Sequence, residues 1–222
     1  LAEQTTVYAM DRRNHGDSGT AEDCSPDAQI ADVVAVVESI DEPVHLLGHS
    51  SGANYALWAA LRTDNLRSVI PHEPAAPPDE EIRAVLKETM GETIALIEKG
   101  EQEQALTMLV SDFAKFTPDE VNELRSSPVW DAHVDTFHQT VLPELGAAGE
   151  FDWWDLTPFE ELSTPTLLLV GSESPHKSLA ERLDGMMPNS RLATLEGYGH
   201  AVHLVAPDRY TDEVLSFINE VD

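Results

Sequence analysis

Two short segments carry residue types suited to acyl transfer. The first is Gly48-His49-Ser50-Ser51-Gly52, a G-x-S-x-G run that follows apolar Val44-His45-Leu46-Leu47 and precedes an alanine-rich stretch. A serine hydroxyl is a weak nucleophile, so it needs exposure, a base and donors for the oxyanion it creates. A tight strand-to-helix turn supplies the exposure, and small residues at Gly48 and Gly52 let the turn close. The turn also aims the start of the next helix at developing negative charge, with the Ser51 N–H as one oxyanion donor. The second segment is Gly197-Tyr198-Gly199-His200, where glycines let a loop bend back and present an imidazole as general base to Ser50. His203, three residues on, can share a helical face with His200. As a metal pair they lack a third ligand by spacing, so no metal is expected. His49 inside the turn reads as structural, and His45, His133 and His138 have no motif support.

These groups must be positioned by a scaffold, and the hydrophobic pattern describes one. Residues 5–10 read as a buried strand ending at a polar loop, residues 11–19. Ser25 as N-cap, Pro26 and Asp27 start a helix whose apolar face is Ile30, Val33, Val34, Val37 and Ile40. Residues 43–47 form the strand before the turn, and the helix after it carries Ala53, Ala56, Leu57, Ala60 and Leu61 inward. Residues 66–70 form a third strand. Such alternation, with strands apolar throughout, predicts an α/β fold with a mostly parallel sheet and helices on both faces. The pattern breaks at the proline-rich residues 71–78. Residues 79–149 are helical, with Ile82, Val85, Leu86, Thr89 and Met90 on one face and Leu106, Leu109, Val110 and Phe113 on another. They read as a helical lid inserted in the sheet. Strands resume at 165–171 and 192–195, and an amphipathic helix at 212–221 ends the chain. The predicted organisation is a core of residues 1–76 and 155–222 with a lid at 77–154. Trp130, Phe137, Trp153, Trp154 and Phe159 either wall an apolar pocket above Ser50 or pack the lid onto the core.

Composition narrows the partners. Against 41 acidic residues stand 13 basic ones, a formal net charge of −28 over 222 residues; nucleic acid is a poor partner for such a surface and is not expected. Only four of the basic residues are lysines (Lys87, Lys99, Lys115 and Lys177), and the acidic excess runs along the whole chain. That combination suits concentrated salt, where like charges are screened within about 3 Å, and predicts a salt-adapted protein. No apolar run reaches the roughly 18–20 residues of a membrane helix. With Cys24 as the single cysteine there is no internal disulfide. A secretory signal is not expected, and a cytoplasmic location is.

Asp11-Arg12-Arg13-Asn14-His15-Gly16-Asp17-Ser18, Gly48 to Gly52, and Gly199-His200 together resemble the α/β-hydrolase superfamily. The first segment is similar to its D-x-R-G-x-G-x-S loop, with Asn14 where glycine is usual. The resemblance implies a Ser-His-acid triad acting on a small-molecule substrate, without cofactor or metal. It also implies where to seek the acid. The usual location, past the glycine ending the strand before the last, reads Gly171-Ser172-Glu173-Ser174, with Ser174 where Asp is commonest. A second location, after the strand following the turn, offers Glu73. Glu73 is preferred and Glu173 is the alternative, because Glu173 needs a shifted loop. The family's first strands and oxyanion loop precede the strand expected at Val7 and are not in this sequence, which points to an incomplete chain. The implied activity is hydrolysis of a carboxylic ester or related acyl substrate through an acyl-enzyme. Lyase, C–C hydrolase and perhydrolase chemistry use the same triad, and a non-catalytic binding protein on this fold is the remaining alternative.

Overall fold

Among the described residues four short strands, β1 (Val44–His49), β2 (Leu66–His72), β3 (Thr166–Gly171) and β4 (Ser190–Leu195), form one sheet in the order β1-β2-β3-β4 with every pair parallel. The computed structural model describes residues 1–75, 80–148, 151–153 and 155–222. β3 is buried along its whole length, and its side chains alternate between two cores. Leu168 and Val170, with Val69, meet α2 (Ser51–Ala60) and α7 (Lys177–Met186). Leu167 and Leu169, with Ile70, meet α8 (Val202–Val205) and α9 (Pro207–Val221). Each fully buried leucine contributes about 1.5–3 kcal/mol, so the double-sided strand anchors both layers.

Outside α2 lies α1 (Pro26–Glu38). Ser25 Oγ accepts the Ala28 N–H at 3.3 Å as its N-cap, and Ile30, Val33 and Val37 pack on Tyr55 and Ala59. Between β2 and β3 the described chain is helical: α3 (Glu80–Glu98), α4 (Gln102–Met108), a π turn at Leu109–Phe113, α5 (Pro118–Ser126) and α6 (Trp130–Ala148). These helices share a core of their own, made by Leu96, Ala105, Leu106, Val110, Val121, Trp130 and Phe137. The side chains of Ile82, Val85, Leu86 and His138, and the whole of Trp154, lie outside the described residues. No helix among the described residues is long and apolar enough to cross a membrane.

The loop at residues 11–19 braces itself and the helices. Arg13 grips Asp32 through Nε and Nη2 at 2.7 and 2.8 Å, and Ser18 Oγ donates to the Asp11 carbonyl at 2.7 Å. Asn14 sits at φ 65°, a left-handed conformation that asparagine tolerates, and its Oδ1 accepts the Ala21 N–H at 2.6 Å. Arg12 reaches α6, donating to the buried Glu144 at 2.8 Å beside Gln29, which donates to the same oxygen at 2.9 Å.

The structure departs from the sequence expectation in four places. Residues 5–10 are not a strand: Val7 and Tyr8 are 51% and 63% exposed. β1 is an edge of the sheet, and no described strand lies beyond it to supply a ladder partner. β2 runs on to His72, because Gly48 and His49 pair with Pro71 and His72. α9 starts at Pro207 rather than at 212, with proline at the first helical position. α7 fills a stretch where the sequence suggested no element, its inner face made by Leu179, Ala180 and Leu183.

Candidate active site

Ser50 occupies the single-residue turn between β1 and α2, with φ 54° and ψ −119°. A non-glycine residue held at positive φ costs about 1–3 kcal/mol, so surrounding structure must hold it there. One restraint is direct: the Ser50 N–H donates to the His72 carbonyl at 2.9 Å. Another is steric. A Cβ at Gly48 would lie 2.1 Å from the Gly52 carbonyl oxygen, so only glycine lets strand and helix approach this closely. A Cβ at Gly52 would meet nothing within 4 Å, so the expectation that both glycines are sterically required holds for Gly48 alone. Ser51 is the first residue of α2, where a helical N–H has no intrahelical acceptor and is available to an anion.

The turn meets the loop that carries His200. The His49 ring donates from Nε2 to the His200 carbonyl at 2.9 Å. The His200 imidazole is 1% exposed, and its Nδ1 lies 3.2 Å from Glu73 Oε2. Glu73, fully buried just past the end of β2, is fixed by three donors. The Gly171 N–H reaches Oε1 at 2.6 Å, while Ser174 Oγ–H and His200 Nδ1–H share Oε2. A carboxylate oxygen accepts, so the proton of a neutral His200 resides on Nδ1 and the lone pair on Nε2. His200 Nε2 is buried and has no hydrogen-bond partner, so its bond to Ser50 Oγ is not formed here. Such contacts commonly tighten only when substrate is bound.

Electrostatics follow from burial. Desolvation pushes the Glu73 carboxyl up to about 7, against the opposing pull of Ser174, Gly171 and His176. Desolvation lowers His200 to about 4, with Glu120 acting in the other direction. The His200 ring is surrounded by His49, Phe116 and His176, at centroid distances of 4.8, 5.4 and 4.8 Å. Glu173 is exposed and touches this cluster only through its backbone, its N–H donating to the Tyr198 carbonyl at 3.0 Å.

Several contributing residues escaped the sequence reading. Glu120, the third residue of α5, closes a Thr117-Pro118-Asp119-Glu120 capping box, a pattern visible in sequence. Its Oε2 caps Thr117 at 2.8 Å and its Oε1 accepts the Ala201 N–H at 2.6 Å, tying α5 to the His200 loop. Ser174 showed only as a serine where an acid is usual. Of the aromatic residues expected either over Ser50 or in packing, the four that are described are found packed. Trp130 and Phe137 are buried in the helical core, Phe159 stacks edge-on to Trp58, and Trp153 lies against Tyr55 and Phe151.

Comparison with known proteins bears on the family and the fold. The sequence profile described as "Alpha/beta hydrolase family" matches residues 1–213. The chain is similar to sn-1-specific diacylglycerol lipase ABHD11 of Mus musculus, 27% identical over 96% of this chain and 71% of the relative. It is also similar to the solved alpha/beta hydrolase of Sphaerobacter thermophilus, with TM-score 0.75, 27% identity, and 93% of this chain and 79% of that one covered. An esterase from Exiguobacterium antarcticum shares the fold at TM-score 0.72 and 20% identity, covering 94% of this chain and 79% of that one.

The two turn glycines make a sharp contrast. Gly48→Ala is expected to lose about 3 kcal/mol or more in urea unfolding, because the new methyl overlaps backbone that cannot move aside. Gly52→Ala should stay within about 1 kcal/mol, and on the stabilising side, since alanine is the better helix former.

Proposed function

This chain belongs to the alpha/beta hydrolase family, and from that premise we propose that it is an esterase-type hydrolase using Ser50 as nucleophile, His200 as general base and Glu73 as the acid. The observation that carries the reading is the Glu73 contact to His200 Nδ1, braced by Gly171 and Ser174, which leaves Nε2 with a bare lone pair.

Each step uses groups already described. His200 Nε2 takes the Ser50 proton as Oγ attacks the ester carbonyl carbon. The oxyanion forms against the Ser51 N–H at the start of α2. The carbon–oxygen bond to the alcohol breaks, and His200 returns the proton to the departing oxygen, leaving Ser50 acylated. Water, deprotonated by His200, attacks the acyl carbon, and the acid leaves as Ser50 regains its proton. Glu73 holds the ring in the required tautomer and stabilises the imidazolium formed twice per turnover. That stabilisation matters here, because burial disfavours the charged imidazole. The helices of residues 77–154 act in this reading as a lid, and the Glu120 bond to Ala201 joins it to the base loop. The mouse relative is named as a lipase of diacylglycerol, so carboxylic esters are the substrate class to examine first.

Against a short p-nitrophenyl ester, Ser50→Ala should lower kcat by about 10⁴-fold or more, and Glu73→Gln by about 10³–10⁴-fold. Glu173→Gln should stay within about twofold of the unmodified protein. Full labelling by a fluorophosphonate probe in Ser50→Ala, or equal rates in the two glutamine variants, would remove the assignment.

We also infer adaptation to concentrated salt, from the charge of −28 and the scarcity of lysine. Screening relieves the mutual repulsion of the acidic surface, so Tm should rise from about 0.1 M to about 3 M KCl. A flat response would count against it.

A further inference from the structure

Next to the Ser50 turn, three imidazoles that the proposed chemistry does not use come together: His49 ending β1, His72 ending β2, and His203 in α8. His49 and His72 are register partners in the parallel ladder, so their side chains leave the same face of the sheet. His203 comes to them from the loop-side helix. One ring nitrogen from each lies within 4.8 Å of the others, and the centroids are 4.6, 4.4 and 5.4 Å apart. Imidazoles around one tetrahedral divalent ion, with nitrogens about 2.0–2.1 Å from it, have centroids about 5 Å apart and nitrogens about 3.4 Å apart. The ring centroids already stand near that separation.

The hydrogen bonding points the same way. His49 Nε2 faces a carbonyl, which can only accept, so Nε2 carries the proton and Nδ1 the lone pair. This is how metal-binding histidines are oriented by a backbone carbonyl behind them. His72 is fully buried with neither ring nitrogen partnered, and His203 Nδ1 is buried and unpartnered as well. Buried polar atoms are seldom left without partners, and an ion accepting their lone pairs would satisfy them. The sequence spacing offered no third ligand for His203, because the other two arrive through strand pairing. We propose that His49, His72 and His203 form a binding site for a single transition-metal ion of the imidazole-preferring class, represented by zinc. Its occupancy would fix the His49 ring that holds the His200 carbonyl.

The test is zinc titration of EDTA-stripped protein by calorimetry and thermal unfolding, with cobalt(II) in parallel to report tetrahedral nitrogen ligation in its visible spectrum. The expected result is one zinc per chain, bound with Kd tighter than about 10 μM, and a raised Tm. His133→Gln, altering an exposed histidine on α6, should bind as before. His203→Asn and His72→Phe should each weaken binding by about 100-fold or more and abolish the tetrahedral cobalt bands. His72→Phe keeps a ring in the strand and removes two unpartnered nitrogens, so its metal-free Tm should be no lower. Absence of stoichiometric binding, or zinc and cobalt binding unchanged in both variants, would overturn the proposal.

Discussion

The hydrogen bond from the Ser50 N–H to the His72 carbonyl continues the β1–β2 ladder one residue past the strand, and the site depends on it. Because the two strands are parallel and paired through His49 and His72, their chains leave the sheet at the same level. Ser50 therefore turns into α2 beside the point where Glu73 turns away from β2. Both residues sit at positive φ, at 54° and 57°, and both are held by backbone bonds to the neighbouring strand. Each of the two carries backbone strain, and the ladder is what sustains it there.

A carboxylate so placed needs more than proximity to an imidazole. Buried Glu73 is pushed toward the neutral form by desolvation, and a neutral carboxyl would not hold the proton on His200 Nδ1. The Gly171 N–H and the Ser174 hydroxyl offset this by donating to it from the end of β3 and the loop beyond. Gly171 is itself constrained, since a Cβ there would lie 2.1 Å from the Tyr198 carbonyl of the histidine loop. Two strand ends and two loops thus converge on a single carboxyl group. A serine in the loop after β3 donates to a carboxylate that arrives from β2.

Much of this was legible in the sequence, for identifiable reasons. Ser25-Pro26 announced α1, the continuous apolar run in β3 announced a strand buried on both faces, and small residues flanked the turn at Ser50. What was not legible depended on contacts between distant segments. Residues 5–10 have the composition of a strand, but no described neighbour pairs with them, and Val7 and Tyr8 lie exposed. Glu120 could be read as a cap, whereas its second oxygen finds Ala201 only in the folded chain. The choice between Glu73 and Glu173 rested on likeness to other proteins; in the fold it becomes a difference between a fully buried carboxylate with three donors and an exposed one. The register of β1 on β2, which also gathers His49 and His72, is not written in either strand alone.

The central claim is that Glu73 holds the neutral His200 ring with its proton on Nδ1 and its lone pair on Nε2. Nitrogen-15 NMR of the histidine rings reads that tautomer directly. The account predicts a protonated Nδ1 and a bare Nε2 for His200 at neutral pH, with the preference lost in Glu73→Gln. A His200 ring protonated on Nε2, or a tautomer indifferent to Glu73, would contradict it.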